Sequence, residues 1–155
     1  MNVIFVCTAN VCRSPLAEGY LKHLLKQKGS DVVNVSSAGI VALTGAPAFE
    51  CAIEVARQFQ FDITTHRAQQ LSVTLADQAD RILCMEPWQA KAVLELTPKN
   101  IEKVSLLGSF HPKKMVLLPI PDPKDFNVQE TLPVFELIRF SVDGFLDSIA
   151  PDPVG

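Results

Sequence analysis

Cys7-Thr8-Ala9-Asn10-Val11-Cys12-Arg13-Ser14-Pro15 decides the fold. The apolar run Val3-Ile4-Phe5-Val6 leads into it, and an apolar-periodic segment, Leu16–Leu25, leaves it. That order reads as a strand, a tight loop and a helix. Ser14 suits the N-cap of the helix and Pro15 its first residue. The loop's backbone N–H groups then gather above a helix N-terminus, which attracts anions through orphan donors and the helix dipole. Successive loop amides can also close into a nest around an oxyanion.

The side chains give this anion site its chemistry. A thiol at Cys7, beside a helix N-terminus and an Arg, is placed as a nucleophile. Arg13, with five residues between it and Cys7, can reach back over the loop and offer its fork to two phosphate oxygens. Ser14 can donate its hydroxyl to the thiolate. The expected phosphate-binding set is the loop of Thr8, Ala9, Asn10, Val11, Cys12, Arg13 and Ser14. A nucleophile, an oxyanion clamp and a ring of amides together describe phosphoryl transfer to sulfur. No cofactor and no metal is called for, because these donors neutralise the charge. Cys7 and Cys12 do fall inside zinc-ligand spacing. However, no second Cys pair follows, and His66 and His111 are not at ligand spacing.

Composition narrows the class. A chain of 155 residues suggests one domain, 1–155, with 151–155 a loose tail. At 48% hydrophobic and 20% charged residues it can bury a core. No apolar run approaches the roughly 18 residues of a membrane span, and Met1–Val6 lacks the basic start of an export signal. A net charge of −3 argues against nucleic-acid binding, which needs a basic face. Four Cys are too few for a disulfide scaffold and read as reduced, cytoplasmic thiols.

Further along, Val32–Ser37, Arg81–Met85 and Val104–Leu107 read as strands, and Pro47–Gln60 and Trp88–Leu96 as helices. Leu71–Leu75 reads only as a lead into the third strand. A last helix falls within Gln129–Ile149, with Pro133 expected in its first turn. Strands alternating with helices predict a single α/β domain, with a central four-stranded parallel sheet and helices on both faces. The phosphate-binding loop sits between the first strand and first helix, at the sheet edge where such folds bind ligands. Cys51 and Cys84, among apolar neighbours, read as core.

The segment Cys7–Glu18 resembles the signature of low-molecular-weight protein tyrosine phosphatases. Ser36-Ser37-Ala38-Gly39, Thr65-His66-Arg67-Ala68, Asp80–Met85 and Ile120-Pro121-Asp122-Pro123 resemble further family segments, in the right order over nearly the whole chain. Two departures stand out. Ala9 replaces a usual Gly, and Ala resists positive φ. Gln69 follows Ala68 where a basic residue is common. The resemblance implies hydrolysis of phosphotyrosine through a cysteinyl-phosphate intermediate, with Cys7 as nucleophile, Arg13 as clamp and Asp122 as acid and base. It implies that Asn10, Ser14, Ser37 and His66 brace the loop, and that Leu43 and Lys124 stand at the cleft wall. The implied partner is a tyrosine-phosphorylated protein, which can be a cognate tyrosine kinase, with no nucleic acid or membrane involved. Cys12 has two readings, a packed small hydrophobe or a redox partner that captures oxidised Cys7 as a disulfide. Two alternatives use the same loop: an arsenate reductase of this fold, which needs further relay thiols downstream of Cys84, and a non-catalytic module that binds phosphate or phosphotyrosine.

Overall fold

The Val3–Val6 run lies at the centre of the sheet. In a computed structural model that describes residues 1–113 and 118–150, strand β1 (Asn2–Cys7) pairs with β2 (Asn34–Gly39) on one side and β3 (Arg81–Cys84) on the other. Strand β4 (Val104–Leu106) completes the order β2-β1-β3-β4, with every pair parallel. A strand paired on both sides and covered on both faces must be apolar throughout, which is why β1 reads as a continuous run. The register sets Cys7 opposite Gly39 and Val6 opposite Cys84. One edge therefore collects the residues that follow all three strands.

The pleat divides the core in two. Val3 and Phe5 face a cluster with Leu16 and Leu21 of α1 (Arg13–Gln27), Val55 of α2 (Glu50–Gln58) and Phe135 and Ile138 of α5 (Val128–Ile149). Ile4 and Val6 face the opposite cluster, with Ala76 of α3 (Val73–Gln78) and Val93 of α4 (Pro87–Leu96). Phe135 anchors the larger cluster, with ring centroids 5.6 Å from Tyr20, 4.7 Å from Phe59 and 5.6 Å from Phe61.

Several boundaries differ from the sequence reading. β2 starts at Asn34, not Val32, because its pairing with β1 begins opposite Asn2, and Val32 is left 70% exposed. The second helix is shorter than Pro47–Gln60. Phe49 is its extended N-cap, and Gln60 closes it in a left-handed conformation (φ 67°), with the Phe61 N–H reaching the Ala56 carbonyl. Helix α3 has only six residues, too few for periodicity to show, and is started by the Ser72 hydroxyl accepting from the Leu75 N–H. Strand β4 stops at Leu106, and Leu107 opens a 3₁₀ turn to Phe110. Pro133 is the sixth residue of α5 rather than a first-turn residue. The helix absorbs it by forgoing one backbone bond, to the carbonyl of exposed Gln129. The tail, 151–155, lies outside the described residues.

Phe135 is fully buried at the junction of α1, α2 and α5. Phe135→Ala is expected to cost about 3–5 kcal/mol of stability, as large-to-small changes of a buried aromatic do, read from the midpoint of urea unfolding.

Candidate active site

The loop between β1 and α1 is held by one residue. Asn10 adopts a left-handed conformation (φ 59°) and is completely buried. Asn tolerates that region better than most residues, and its side-chain amide and its carbonyl are all engaged. Its Nδ2 donates to Ser14 Oγ at 2.8 Å and to Ser37 Oγ at 2.9 Å, and its Oδ1 accepts from the Gln69 N–H at 2.9 Å. Its carbonyl lies 2.7 Å from His66 Nε2, which must therefore carry the proton. Ser37 in turn donates to Glu18. The Ser14 hydroxyl, already accepting from Asn10, has its own proton free for Cys7 Sγ, 2.9 Å away. A chain of hydrogen bonds thus ends at the sulfur.

The two departures from the expected motif are absorbed. The left-handed position falls on Asn10, and Ala9 is not among the residues with positive φ. Gln69 supports the brace with both its backbone N–H and its side chain, whose Nε2 donates to the Ser37 carbonyl at 2.9 Å. Ser14 corrects the sequence reading. Leu16 N–H bonds to the Cys12 carbonyl, so α1 starts two residues earlier, at Arg13, and Cys12 is its N-cap without a side-chain cap bond. Ser14 is then the second helical residue, which frees its hydroxyl for Cys7. Gly39 is required beside the loop, because a Cβ there would lie 2.6 Å from the Thr8 carbonyl oxygen.

Arg13 is 1% exposed, and its charge is balanced from several elements. Nη1 donates to Glu86 Oε2 at 2.6 Å and to the Ile120 carbonyl at 2.8 Å, and Nη2 reaches Thr8 Oγ1 at 3.2 Å. Asp122 Oδ1 lies 2.8 Å from Nε, yet the Nε–H makes no hydrogen bond among the described residues. The contact is thus a charge pairing that leaves this donor unspent. Glu86 also caps α4 in a box with Gln89, a fully buried residue whose Nε2 reaches Thr8 Oγ1 at 3.2 Å. Sequence reasoning missed Glu86 and Gln89. Their signal was legible as a capping box, Glu86-Pro87-Trp88-Gln89, ahead of an apolar-periodic run.

Above Cys7 opens a cleft of about 180 Å³. Its floor is the loop, Asp122 lies at its side, and Phe49 and Phe126 form its apolar wall, with ring centroids 5.0 Å apart at 83°. Leu43 and Lys124 do not line it. Leu43 bonds to the loop through its backbone, N–H to the Ala9 carbonyl, and is half exposed. The aromatics come instead from the α2 N-cap and from the segment leading into α5. Neither position stood out in the sequence, because Phe49 fell inside the expected helix and Phe126 in a breaker-rich loop.

Cys12 lines the cleft beside Cys7 and is buried. Its thiol is hydrogen-bonded with Cys51 of α2, and that bond together with burial pushes Cys12 far up. The same bond, helped by backbone N–H groups at the α2 N-terminus, holds Cys51 down to about 6, against its burial. Cys84 is fully buried in the smaller core, where burial pushes its thiol up to about 12.

A family model described as "Low molecular weight phosphotyrosine protein phosphatase" matches residues 2–153. The probable low-molecular-weight protein-tyrosine-phosphatase EpsP of Ralstonia nicotianae is 35% identical over 148 residues, 96% of this chain and 95% of that one. Among solved structures, a low-molecular-weight protein tyrosine phosphatase from T. tengcongensis superposes with a TM-score of 0.88 at 29% identity, covering 96% of this chain and 99% of that one. The YwlE arginine phosphatase of Geobacillus stearothermophilus gives 0.84 at 26% identity, covering 96% and 92%. The chain belongs to the low-molecular-weight phosphotyrosine protein phosphatase family.

Asn10 offers a test of the loop. Asn10→Gly keeps the left-handed backbone but strips Ser14, Ser37 and Gln69 of a partner, which should cost about 1–3 kcal/mol. Asn10→Ala adds the left-handed penalty of about 1–2 kcal/mol for a residue with a Cβ. Urea unfolding of the two variants should rank wild type above Gly above Ala.

Proposed function

We propose that the protein hydrolyses phosphotyrosine in two steps at Cys7. Cys7 Sγ attacks phosphorus, the bond to the tyrosine oxygen breaks, and Asp122 gives its proton to the departing phenolate. Water then attacks the thiophosphoryl group, Asp122 takes the water's proton, and phosphate leaves with Cys7 restored as thiolate. The observation that carries this reading is the shared cleft, in which Cys7 forms the floor, Arg13 and Asp122 face it, and Phe49 and Phe126 stand above. The unspent Arg13 Nε–H and the loop amides receive the equatorial oxygens as charge builds on them. As general acid, Asp122 must carry the proton that the departing phenolate takes.

The wall supports an aryl leaving group. Phosphoarginine would set the four N–H donors left on its guanidinium against Val11, Phe49 and Phe126, with Asp122 as the one carboxylate, already paired to Arg13. A tyrosine ring asks for no hydrogen bonds there. The relatives named as tyrosine phosphatases support the same substrate. The natural partner is then a tyrosine-phosphorylated protein, with a cognate tyrosine kinase a natural candidate. Four free cysteines suit a reducing, cytoplasmic setting.

Two measurements check the roles. Asp122→Asn should lower turnover of phosphotyrosine about 10²–10⁴-fold, the usual worth of a general acid. The loss on nitrophenyl phosphate, a better leaving group than a phenolate of pKa about 10, should be smaller. Cys7→Ser should abolish turnover of both while still binding vanadate. Equal losses on both substrates for Asp122→Asn would remove its leaving-group role.

Phe126 is half exposed, so its truncation spares the core. Aromatic contacts are worth about 0.5–1.5 kcal/mol beyond area burial, so Phe126→Ala should raise KM for phosphotyrosine about 2- to 10-fold, with inhibition by inorganic phosphate unchanged.

A further inference from the structure

The edge above the cleft carries one large side chain that neither the core nor the two-step mechanism uses. Trp88, the only tryptophan of the chain, is 45% exposed. Tryptophan is on average a well-buried residue. Among the described residues Trp88 joins neither core cluster and pairs with no other aromatic ring.

Its place is nonetheless fixed. β3 ends beside β1, with Cys84 opposite Val6, and the Met85 N–H bonds to the Val6 carbonyl at 3.1 Å. Pro87 opens α4, and Trp88 stands in its first turn. Glu86 and Gln89, on either side of it, are tied to the loop between β1 and α1. Glu86 Oε2 accepts from Arg13 Nη1 at 2.6 Å, and Gln89 Nε2 reaches Thr8 Oγ1 at 3.2 Å. The indole Nε1–H reaches the same Glu86 oxygen at 3.4 Å. That contact is long, and its acceptor is already committed to Arg13, so it orients the ring more than it holds the fold.

We propose that Trp88 is a specificity-determining residue that receives an apolar side chain next to the phosphotyrosine of a protein substrate. The proposal rests on the reading of the cleft as a phosphotyrosine site. Phosphotyrosine enters over the loop that follows β1, and Trp88 stands beyond the end of β3, the neighbouring strand. Paired strands lie about 4.8 Å apart, and an extended chain advances about 3.3 Å per residue. A peptide crossing the sheet edge towards β3 therefore sets its first or second residue from the phosphotyrosine against the indole. The exposed ring offers apolar area, and tryptophan is enriched among the side chains that dominate binding at interfaces. An acidic neighbour would meet Glu86 and Asp122, whose side chains are 25% and 47% exposed. A basic neighbour finds the Glu86 oxygen beside the indole already paired with Arg13. An apolar neighbour meets neither conflict.

The test uses four phosphotyrosine peptides without tryptophan, identical except that the two residues on each side of the phosphotyrosine are all Leu, all Ser, all Glu or all Lys. Wild type should show its highest kcat/KM on the Leu peptide, about 2- to 10-fold above the Ser peptide, the range one aromatic contact supports. Trp88→Ala should bring the Leu peptide down to the level of the Ser peptide, and Trp88→Phe should keep most of the difference. The Ser peptide is the reference on each variant, so any effect passed through Glu86 to Arg13 cancels in the ratio. With one tryptophan in the chain, fluorescence reads the contact without catalysis. Bound to Cys7→Ser, the Leu peptide should shift the emission to shorter wavelength, and the Ser peptide should not. The proposal is overturned if wild type turns over the Leu and Ser peptides alike, if it prefers the Glu or Lys peptide, if the Leu-to-Ser ratio survives in Trp88→Ala, or if the Leu peptide leaves the emission unchanged. Failure of the phosphotyrosine reading shows separately, as no turnover of free phosphotyrosine by wild type.

Discussion

The left-handed turn at Asn10 is the constraint on which the site depends. With φ at 59°, the chain reverses quickly enough after β1 to start α1 at Arg13, only six residues beyond Cys7. A residue with a Cβ resists that conformation by about 1–2 kcal/mol. The side chain of Asn10 offsets this with three hydrogen bonds, and each reaches a different part of the chain: Ser14 in α1, Ser37 in β2 and the segment at Gln69. The loop is therefore rigid because the sheet is, and the anion site is formed before any anion arrives. Pre-formed donors need no reorganisation as charge develops, which is where most of their catalytic worth lies.

Arg13 supplies the second half of the account. A guanidinium that is 1% exposed cannot stand alone, and removing one partner from a buried pair typically costs about 3–5 kcal/mol. Here two carboxylates share it, and they differ. Glu86 is fixed by its capping role in α4, whereas Asp122 lies on a loop with its side chain 47% exposed. The fixed anion orients the fork. In the proposed mechanism the exposed one yields its place to substrate and turns to the leaving group. Thus one cation links the capping carboxylate of α4 to the loop carboxylate proposed as the acid.

Most of this could be read from the residues. The Val3–Val6 run and the Cys-x5-Arg spacing are local signals of a central strand and an anion-binding loop, whereas the role proposed for Asp122 comes from the family resemblance of Ile120–Pro123. What escaped reading depends on distant parts of the chain meeting. Phe49 and Phe126 lie 77 positions apart and face each other only because α2 and the lead into α5 flank the same loop. Glu86 needs β3 beside β1 before it can reach Arg13. Cys51 looked like core, and it is buried, but its contact with Cys12 requires the start of α2 to dock on the loop. The helix start was misplaced by two residues because propensity favours serine at a cap, while the carbonyl that accepts the first helical bond belongs to Cys12.

The central claim is that phosphorus passes through a bond to Cys7. Rapid quenching of Asp122→Ala during turnover of phosphotyrosine, followed by peptide mass mapping, tests it directly. The account predicts a phosphoryl group on the peptide carrying Cys7, which vanishes in Cys7→Ser. A burst of tyrosine release with the phosphoryl group on Cys12 or Cys51, or turnover with no covalent adduct at any quench time, would contradict it.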